Sequence, residues 1–127
     1  MITISDVRKA LGDAYSTYPD DATIQNFIDK RSEELLEITG LNDLSSANYQ
    51  SFLKKWLLNM VCVDVLQYDL LGKDSTDALD YSLGDLKESK DKNVQLKLQW
   101  IGIMKEAAEN ALNMYFARTV KYRAVSP

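Results

Sequence analysis

A long segment in the middle of the chain, from Ser45 to Leu71, repeats apolar residues at helical spacing and contains neither glycine nor proline. At 1.5 Å per residue, a helix of this length measures about 40 Å. Its apolar residues cover more than one narrow stripe, so we expect the helix to touch neighbours on two sides. The segment therefore predicts a central helix, or a helix shared between subunits.

Three other segments predict helices around this one. Thr3, with Asp6 three residues later, begins a short helix that ends at Gly12. The sequence Pro-Asp-Asp at residues 19–21 precedes a second helix, which Thr39 and Gly40 close. The expected buried stripe of this helix is Ile24, Phe27, Ile28, Arg31, Leu35 and Ile38. A last helix from about residue 94 to 120 has the expected buried face Leu96, Trp100, Ile101, Met104, Ala108, Ala111, Leu112 and Tyr115.

Two segments differ from this helical pattern. Residues Gly72 to Asn93 form a polar connector rich in Asp, Lys and Ser, and residues 119–127 alternate β-branched or aromatic residues with charged ones. Such alternation is typical of an extended segment that pairs with a partner. The sequence thus predicts an all-α fold, a small helical bundle of one short and three longer helices with a polar connector. The helical domain is expected in residues 1–115 and an extended basic C-terminal tail in residues 116–127.

Composition excludes several kinds of chemistry. The chain has 127 residues, which fits one domain, and it contains no histidine. Without histidine there is no Ser-His-Asp triad, no Cys-His pair and no imidazole ligand. The single cysteine, Cys62, cannot close an intrachain disulfide or anchor a zinc site, and we expect it to be a small buried apolar residue. No Gly-rich phosphate-binding motif occurs.

Charge is unevenly distributed along the chain. There are 15 basic and 19 acidic residues, and the net charge of −4 argues against a general nucleic-acid binder. Residues 13–43 contain eight acidic and two basic residues, whereas residues 116–127 contain three basic residues and no acidic one. The longest stretch without a charged residue has ten residues, too few to span a membrane.

Three sequence motifs, taken in order, resemble the head-tail connector proteins of tailed bacteriophages, also called adaptor or head-completion proteins. They are TISDVRKAL at residues 3–11, the block from residue 21 to 40 that begins DATI and ends EITG, and YSLGDLKES at residues 81–89. Each motif is common by itself, but their order, their spacing and the long helix on either side of the third agree with the family. The resemblance covers most of the chain.

The resemblance implies a structural role and no enzymatic activity, metal or cofactor. Proteins of this kind assemble as a ring, typically of twelve subunits, between the portal of a DNA-filled head and the next neck or tail-completion protein. The implied location is the neck of the virion, with assembly in the host cytoplasm. DNA passes through such a ring without specific binding, and an acidic or neutral wall suits that passage. The implied portal-binding residues are Arg118, Lys121, Tyr122 and Arg123.

A closed ring also requires two different surfaces on each subunit. Large aromatic residues are the usual anchors of such contacts. The aromatic residues that we expect at subunit contacts are Trp56, Tyr68 and Trp100, although each is also a suitable core residue.

Two other functional classes remain open from the sequence. Glu33, Glu37 and Asp64 resemble the carboxylate pattern of MazG-type nucleoside triphosphate pyrophosphohydrolases, in which acidic residues of two helices bind magnesium. That pattern requires a glutamate three residues before Asp64, and this chain has Val61 there. The other class is a small helical regulatory or binding subunit, which would be a dimer.

The acidic residues of these helices also have simpler interpretations. Asp29, Glu33 and Glu37 recur every four residues, as expected of a solvated acidic helix face. Asp64 lies in an apolar stretch, and a carboxylate in such surroundings needs a partner. Arg31 or a lysine on a packed helix is expected to provide it.

Overall fold

The computed structural model describes residues 2–41, 44, 51–71 and 92–125, with side chains as far as residue 118. In these ranges the chain forms four α-helices, one short 3₁₀ helix and no strand, so the all-α prediction is confirmed. None of these helices combines the length and the apolar composition that crossing a membrane requires. Residues 72–91 of the predicted connector, the motif at residues 81–89 and the predicted start of the central helix at residues 45–50 lie outside the described residues, whereas Lys92 and Asn93 already belong to the last helix.

The first helix, α1, comprises Ile4–Leu11 and begins as the sequence predicts. The backbone N–H of Asp6 donates to Thr3 Oγ1 at 3.2 Å, and the backbone N–H of Thr3 donates to Asp6 Oδ2 at 2.9 Å. This reciprocal pair satisfies two N–H groups that a helix start leaves without partners. Gly12 follows the helix with φ of 92°, a conformation that favours glycine.

A tight corner connects α1 to the next helix, and Arg8 holds it together. The corner contains the 3₁₀ helix Asp13–Tyr15. The Arg8 guanidinium donates to the carbonyl oxygens of Tyr15 and Pro19, each at 2.8 Å, and to Asp21 Oδ1 at 2.7 Å. One side chain therefore satisfies two backbone carbonyls of the corner and fixes the start of the second helix.

The second helix, α2, comprises Asp21–Thr39, and both of its predicted ends are confirmed. Asp20 Oδ1 accepts from the backbone N–H of Thr23 at 3.0 Å, and Gly40 closes the helix in the left-handed region with φ of 71°. Four residues of the predicted stripe are buried, namely Ile24, Phe27, Ile28 and Leu35. The placement of Ile38 in that stripe is wrong, because its side chain is 38% exposed.

The third helix, α3, comprises Ser51–Leu71 and contacts α1, α2 and the last helix. All seven residues from Val61 to Gln67 are buried, so this part of the helix is covered on every side. The predicted central position is therefore confirmed. Cys62 lies in this stretch, and burial raises the pKa of its thiol to about 12, which makes it the inert apolar residue that the sequence predicts.

The fourth helix, α4, comprises Lys92–Val125 and packs along α3 through Ile101, Met104, Ala108 and Ala111. Two sequence predictions about it are wrong. Leu96 is 62% exposed instead of buried, and the tail is not extended, because α4 continues without a break through residue 115 to Val125. No glycine or proline lies between Gly102 and Pro127, and extending an existing helix is far easier than starting one.

Candidate functional site

An ion pair between α2 and α3 joins Arg31 to Asp64 at the edge of the core. Arg31 Nε donates to Asp64 Oδ2 and Arg31 Nη2 donates to Asp64 Oδ1, both at 2.7 Å. Asp64 is 6% exposed and the Arg31 side chain 19% exposed, while Arg31 Nη1 also donates to the half-exposed Glu34 at 2.7 Å. The expectation that Asp64 needs a partner, and that Arg31 can be that partner, is confirmed.

Burial and pairing act in opposite directions on this pair. Burial raises the pKa of the Asp64 carboxyl above its ordinary value, although the two hydrogen bonds from Arg31 act to lower it. Burial also disfavours the charge of the Arg31 guanidinium, but its bonds to Asp64 and Glu34 outweigh that effect and raise its pKa. Each charge is therefore tolerated in the interior because the other is present.

The carboxylates of the pyrophosphohydrolase pattern do not converge. Asp29, Glu33 and Glu37 lie on the exposed outer face of α2, whereas both oxygens of Asp64 accept hydrogen bonds from Arg31. Val61, at the position where that pattern requires a glutamate, is fully buried in the core. Among the described residues, no group of three or more acidic, cysteine or histidine side chains is placed to hold a metal ion.

A second polar cluster joins the 3₁₀ helix, α3 and α4 at one end of the bundle. Tyr15 Oη and Lys97 Nζ both donate to Asp69 Oδ2, each at 2.7 Å. Burial acts to raise the pKa of Asp69, but the bonds from Lys97 and Tyr15 outweigh it and hold that pKa below its ordinary value. Burial and the bond to Asp69 raise the pKa of the Tyr15 hydroxyl, so tyrosine remains the proton donor in this cluster.

An open groove of about 700 Å³ lies beside this cluster, between the corner after α1 and the first turns of α4. Tyr18, Leu96, Trp100 and Ile103 supply most of its apolar lining. Tyr18 stacks at a tilt on Tyr68, with ring centroids 6.1 Å apart, so one wall of the groove is aromatic. The groove therefore presents a concave, mainly apolar surface to solvent.

The groove continues into a row of exposed apolar side chains on α4, which we call the α4 stripe. Its members are Leu96, Ile103 and Met114, which are 62%, 65% and 55% exposed. Ile103 follows Leu96 by seven residues, about two helical turns, and Met114 follows Ile103 by eleven residues, about three turns. The three side chains therefore share one face of the helix. The stripe is about 27 Å long and lies on a different face from the buried residues of α4.

The aromatic residues predicted at subunit contacts lie at different depths. Trp56 is buried in the core of the single chain, whereas Tyr68 and Trp100 are partly buried and pack against that core. Phe27 contacts Tyr68 edge-on, with ring centroids 6.0 Å apart. A role of Trp56, Tyr68 and Trp100 in subunit contacts stays a prediction, and of the three, Tyr68 and Trp100 keep part of their surface open.

The residues predicted to bind a portal follow the last packed turn of α4. Tyr115 packs against the core, and Arg118 is exposed three residues later. Lys121, Tyr122 and Arg123 belong to the same helix, but their side chains lie outside the described part. Their role stays a prediction.

Comparison with known protein families, curated proteins and solved structures gives no match to this chain. Within the described residues, the chain presents an open groove beside the Tyr15–Asp69–Lys97 cluster and exposed apolar side chains on one face of α4.

Proposed function

We propose that this chain is a structural connector subunit that self-associates into a ring between the portal and the tail of a bacteriophage particle. The observation that carries the proposal is the α4 stripe. Three large apolar side chains, each more than half exposed, lie on one face of one helix and continue into an apolar groove. Leu96 and Ile103 line the groove and form one apolar surface with it, and exposed apolar surface of this kind is typical of a protein interface.

The distribution of charge supports the same role. The chain carries a net charge of −4, so its surface is acidic on balance. A surface of this sign does not hold DNA, because DNA binding depends on clustered lysine and arginine side chains that release counterions. A subunit of this kind lines a DNA channel without retarding the DNA.

The basic end of α4 is the proposed portal-binding element. Arg118 is exposed beyond the last core contact of α4, and Lys121, Tyr122 and Arg123 follow it in the same helix. Basic side chains on a projecting helix end suit an acidic acceptor surface and accelerate its encounter. The helical tail presents these residues at fixed spacing.

Binding to the portal protein encoded in the same genome tests this proposal. We expect the full chain to bind the assembled portal, as measured by native mass analysis and imaging of the mixture. Among the residues whose side chains the structure describes, deletion of residues 117–127 removes none that belongs to the packed core. We expect this deletion to abolish binding while leaving the circular dichroism spectrum helical. A variant with glutamine at positions 118, 121 and 123 keeps the length of the helix and separates the effect of charge from that of length. A full chain that ignores the portal, or a truncated chain that still binds it, refutes the proposal.

The same preparation tests the two alternatives. A pyrophosphohydrolase would hydrolyse nucleoside triphosphates with magnesium, and an Asp64→Ala variant would lose that activity. We expect no hydrolysis by either protein. A regulatory subunit would remain a dimer at all concentrations, whereas the connector proposal requires a larger, ring-shaped assembly with the portal.

A further inference from the structure

The end of α4 combines apolar and basic character on one exposed face. Met114 is the last member of the α4 stripe, and Arg118 follows it by four residues, about one helical turn. A partner surface for this end must therefore offer negative charge.

The outer face of α2 has that complementary character. Asp29, Glu33 and Glu37 are exposed at intervals of four residues. Among the described residues, the ion pairs involve none of these three acidic side chains. Like charges at this spacing repel one another mildly, and a basic partner relieves that repulsion.

We propose that the C-terminal part of the α4 stripe, with Arg118, binds the acidic outer face of α2 in a second copy of this chain. The occupant is a copy of the same protein because both halves of the contact are present on each chain. The inference rests on the proposed function and deepens it, since it names the two surfaces through which neighbouring subunits meet.

The two halves of this contact are different surfaces, so the arrangement is head-to-tail. A head-to-tail contact uses one surface of each copy at every junction and leaves the complementary surface free for the next copy. If the rotation closes, the product is a ring. Arg118, which the proposed function counts among the portal-binding residues, then binds the neighbouring copy, and Lys121, Tyr122 and Arg123 remain for the portal.

A charge-swap experiment tests this arrangement. The first variant, Glu33→Lys with Glu37→Lys, makes the α2 face basic, and the second, Arg118→Glu, makes the contact residue of α4 acidic. Each variant alone then brings like charges together, and we expect its self-association to weaken by about tenfold or more. In an equimolar mixture, junctions between the two altered surfaces again join opposite charges, and association recovers.

Matched control variants separate this contact from a general effect of charge. Lys105→Glu and Glu109→Lys change charge at exposed positions of α4 that lie off the stripe, and we expect both to associate like the unmodified chain. Sedimentation of each protein across a concentration series measures the association, and circular dichroism shows whether each is folded. Raising sodium chloride from about 0.1 M to about 1 M shortens the screening length from about 10 to about 3 Å and should weaken the charged part of the contact.

Each remaining outcome overturns the inference. If the unmodified chain stays monomeric, no second copy covers the stripe. If both charge variants associate as well as the unmodified chain while Ile103→Glu does not, the stripes of two copies pair with each other instead. If the mixture fails to recover, the two surfaces do not meet.

Portal binding by the unmodified chain is a separate measurement, so the two failures are distinguishable. A chain that passes the charge swap but ignores the portal refutes the connector role alone. A chain that binds the portal but does not respond to the charge swap refutes the α2 contact alone.

Discussion

Replacement of Arg31 by methionine is expected to destabilise the fold strongly. The substitution keeps most of the apolar stem but leaves the Asp64 carboxylate, 6% exposed, without either of its two 2.7 Å hydrogen bonds. Breaking a buried pair in this way costs about 3–5 kcal/mol. Because the Arg31 side chain is 19% exposed, water reaches the vacated space, and we expect a value near the lower end of that range, about 3 kcal/mol.

Urea unfolding followed by circular dichroism measures this cost. With a dependence of about 2 kcal/mol per molar urea, a loss of about 3 kcal/mol lowers the midpoint by about 1.5 M. Glu34→Gln is the matched control, because it removes the charge of a half-exposed partner that contacts the same guanidinium. We expect that exposed pair to be worth less than about 1 kcal/mol.

Two further measurements test the reasoning about buried charge. Replacing both partners, Arg31→Met with Asp64→Leu, removes both charges and should restore stability to within about 1 kcal/mol of the original chain. In Arg31→Met alone, burial raises the pKa of Asp64 above its unfolded value, so the penalty present at neutral pH should shrink as the pH falls below that raised pKa. The reasoning is refuted if Arg31→Met costs no more than Glu34→Gln, or if its cost is the same at acid and neutral pH.

Three smaller perturbations have defined outcomes. Gly40→Ala should destabilise the chain by about 1 kcal/mol, because residue 40 has φ of 71°, which alanine adopts only with strain. Gly102→Ala lies inside α4, where alanine favours the helix, and should stabilise the chain by a similar amount in the same urea assay. If both substitutions shifted the urea midpoint in the same direction, this reasoning would be wrong. Asp69→Asn should flatten the loss of stability in acid. The pKa of Asp69 is lowered in the folded state, so its contribution to stability is full above its unfolded pKa of about 3.9 and is lost as the pH falls through the folded pKa. If Asp69→Asn lost stability in acid as steeply as the unmodified chain, Asp69 would not have this effect. Ala108→Leu, at a fully buried contact of α4, should cost about 1–3 kcal/mol by overpacking, while Ala117→Leu at an exposed position should not, and thermal unfolding distinguishes the two.

Local features of the fold could be predicted well from the sequence. The caps at Thr3, Asp20 and Gly40 depend on residues within four positions of each other, so a short stretch of sequence contains all the necessary information. The pairing of Asp64 was also accessible, because a carboxylate inside an apolar run requires a cation. What the sequence left open was the choice between Arg31 and a lysine, which depends on how α2 and α3 pack.

Features that depend on where neighbouring helices end could not be predicted in the same way. Periodicity gives the angle of Ile38 and Leu96 around their helices, but both side chains are exposed, because no helix in the described part of the chain packs over them. The α4 stripe was missed for the same reason. Alternation near the C-terminus favoured an extended tail, yet the helix already formed before it imposes its own conformation on these residues.

The cluster around Asp69 was missed although a signal for it existed. Asp69 lies between Tyr68 and Leu70 near the end of the apolar helix, a setting that resembles that of Asp64 five residues earlier. Its partners Tyr15 and Lys97 lie 54 and 28 residues away along the chain. Neither can be selected from the sequence without knowing that three separate elements meet at this end of the bundle.

The hydrogen bonds of the Arg8 guanidinium determine which substitutions the corner after α1 tolerates. Its three acceptors, the carbonyl oxygens of Tyr15 and Pro19 and the carboxylate of Asp21, receive hydrogen bonds from two different nitrogens of one planar group. A lysine supplies all its hydrogens from a single point and cannot span that arrangement, although it conserves the charge. A library of variants with only lysine at position 8 would therefore contain few well-folded members. The same exchange at Arg118, an exposed position, would not change stability measurably.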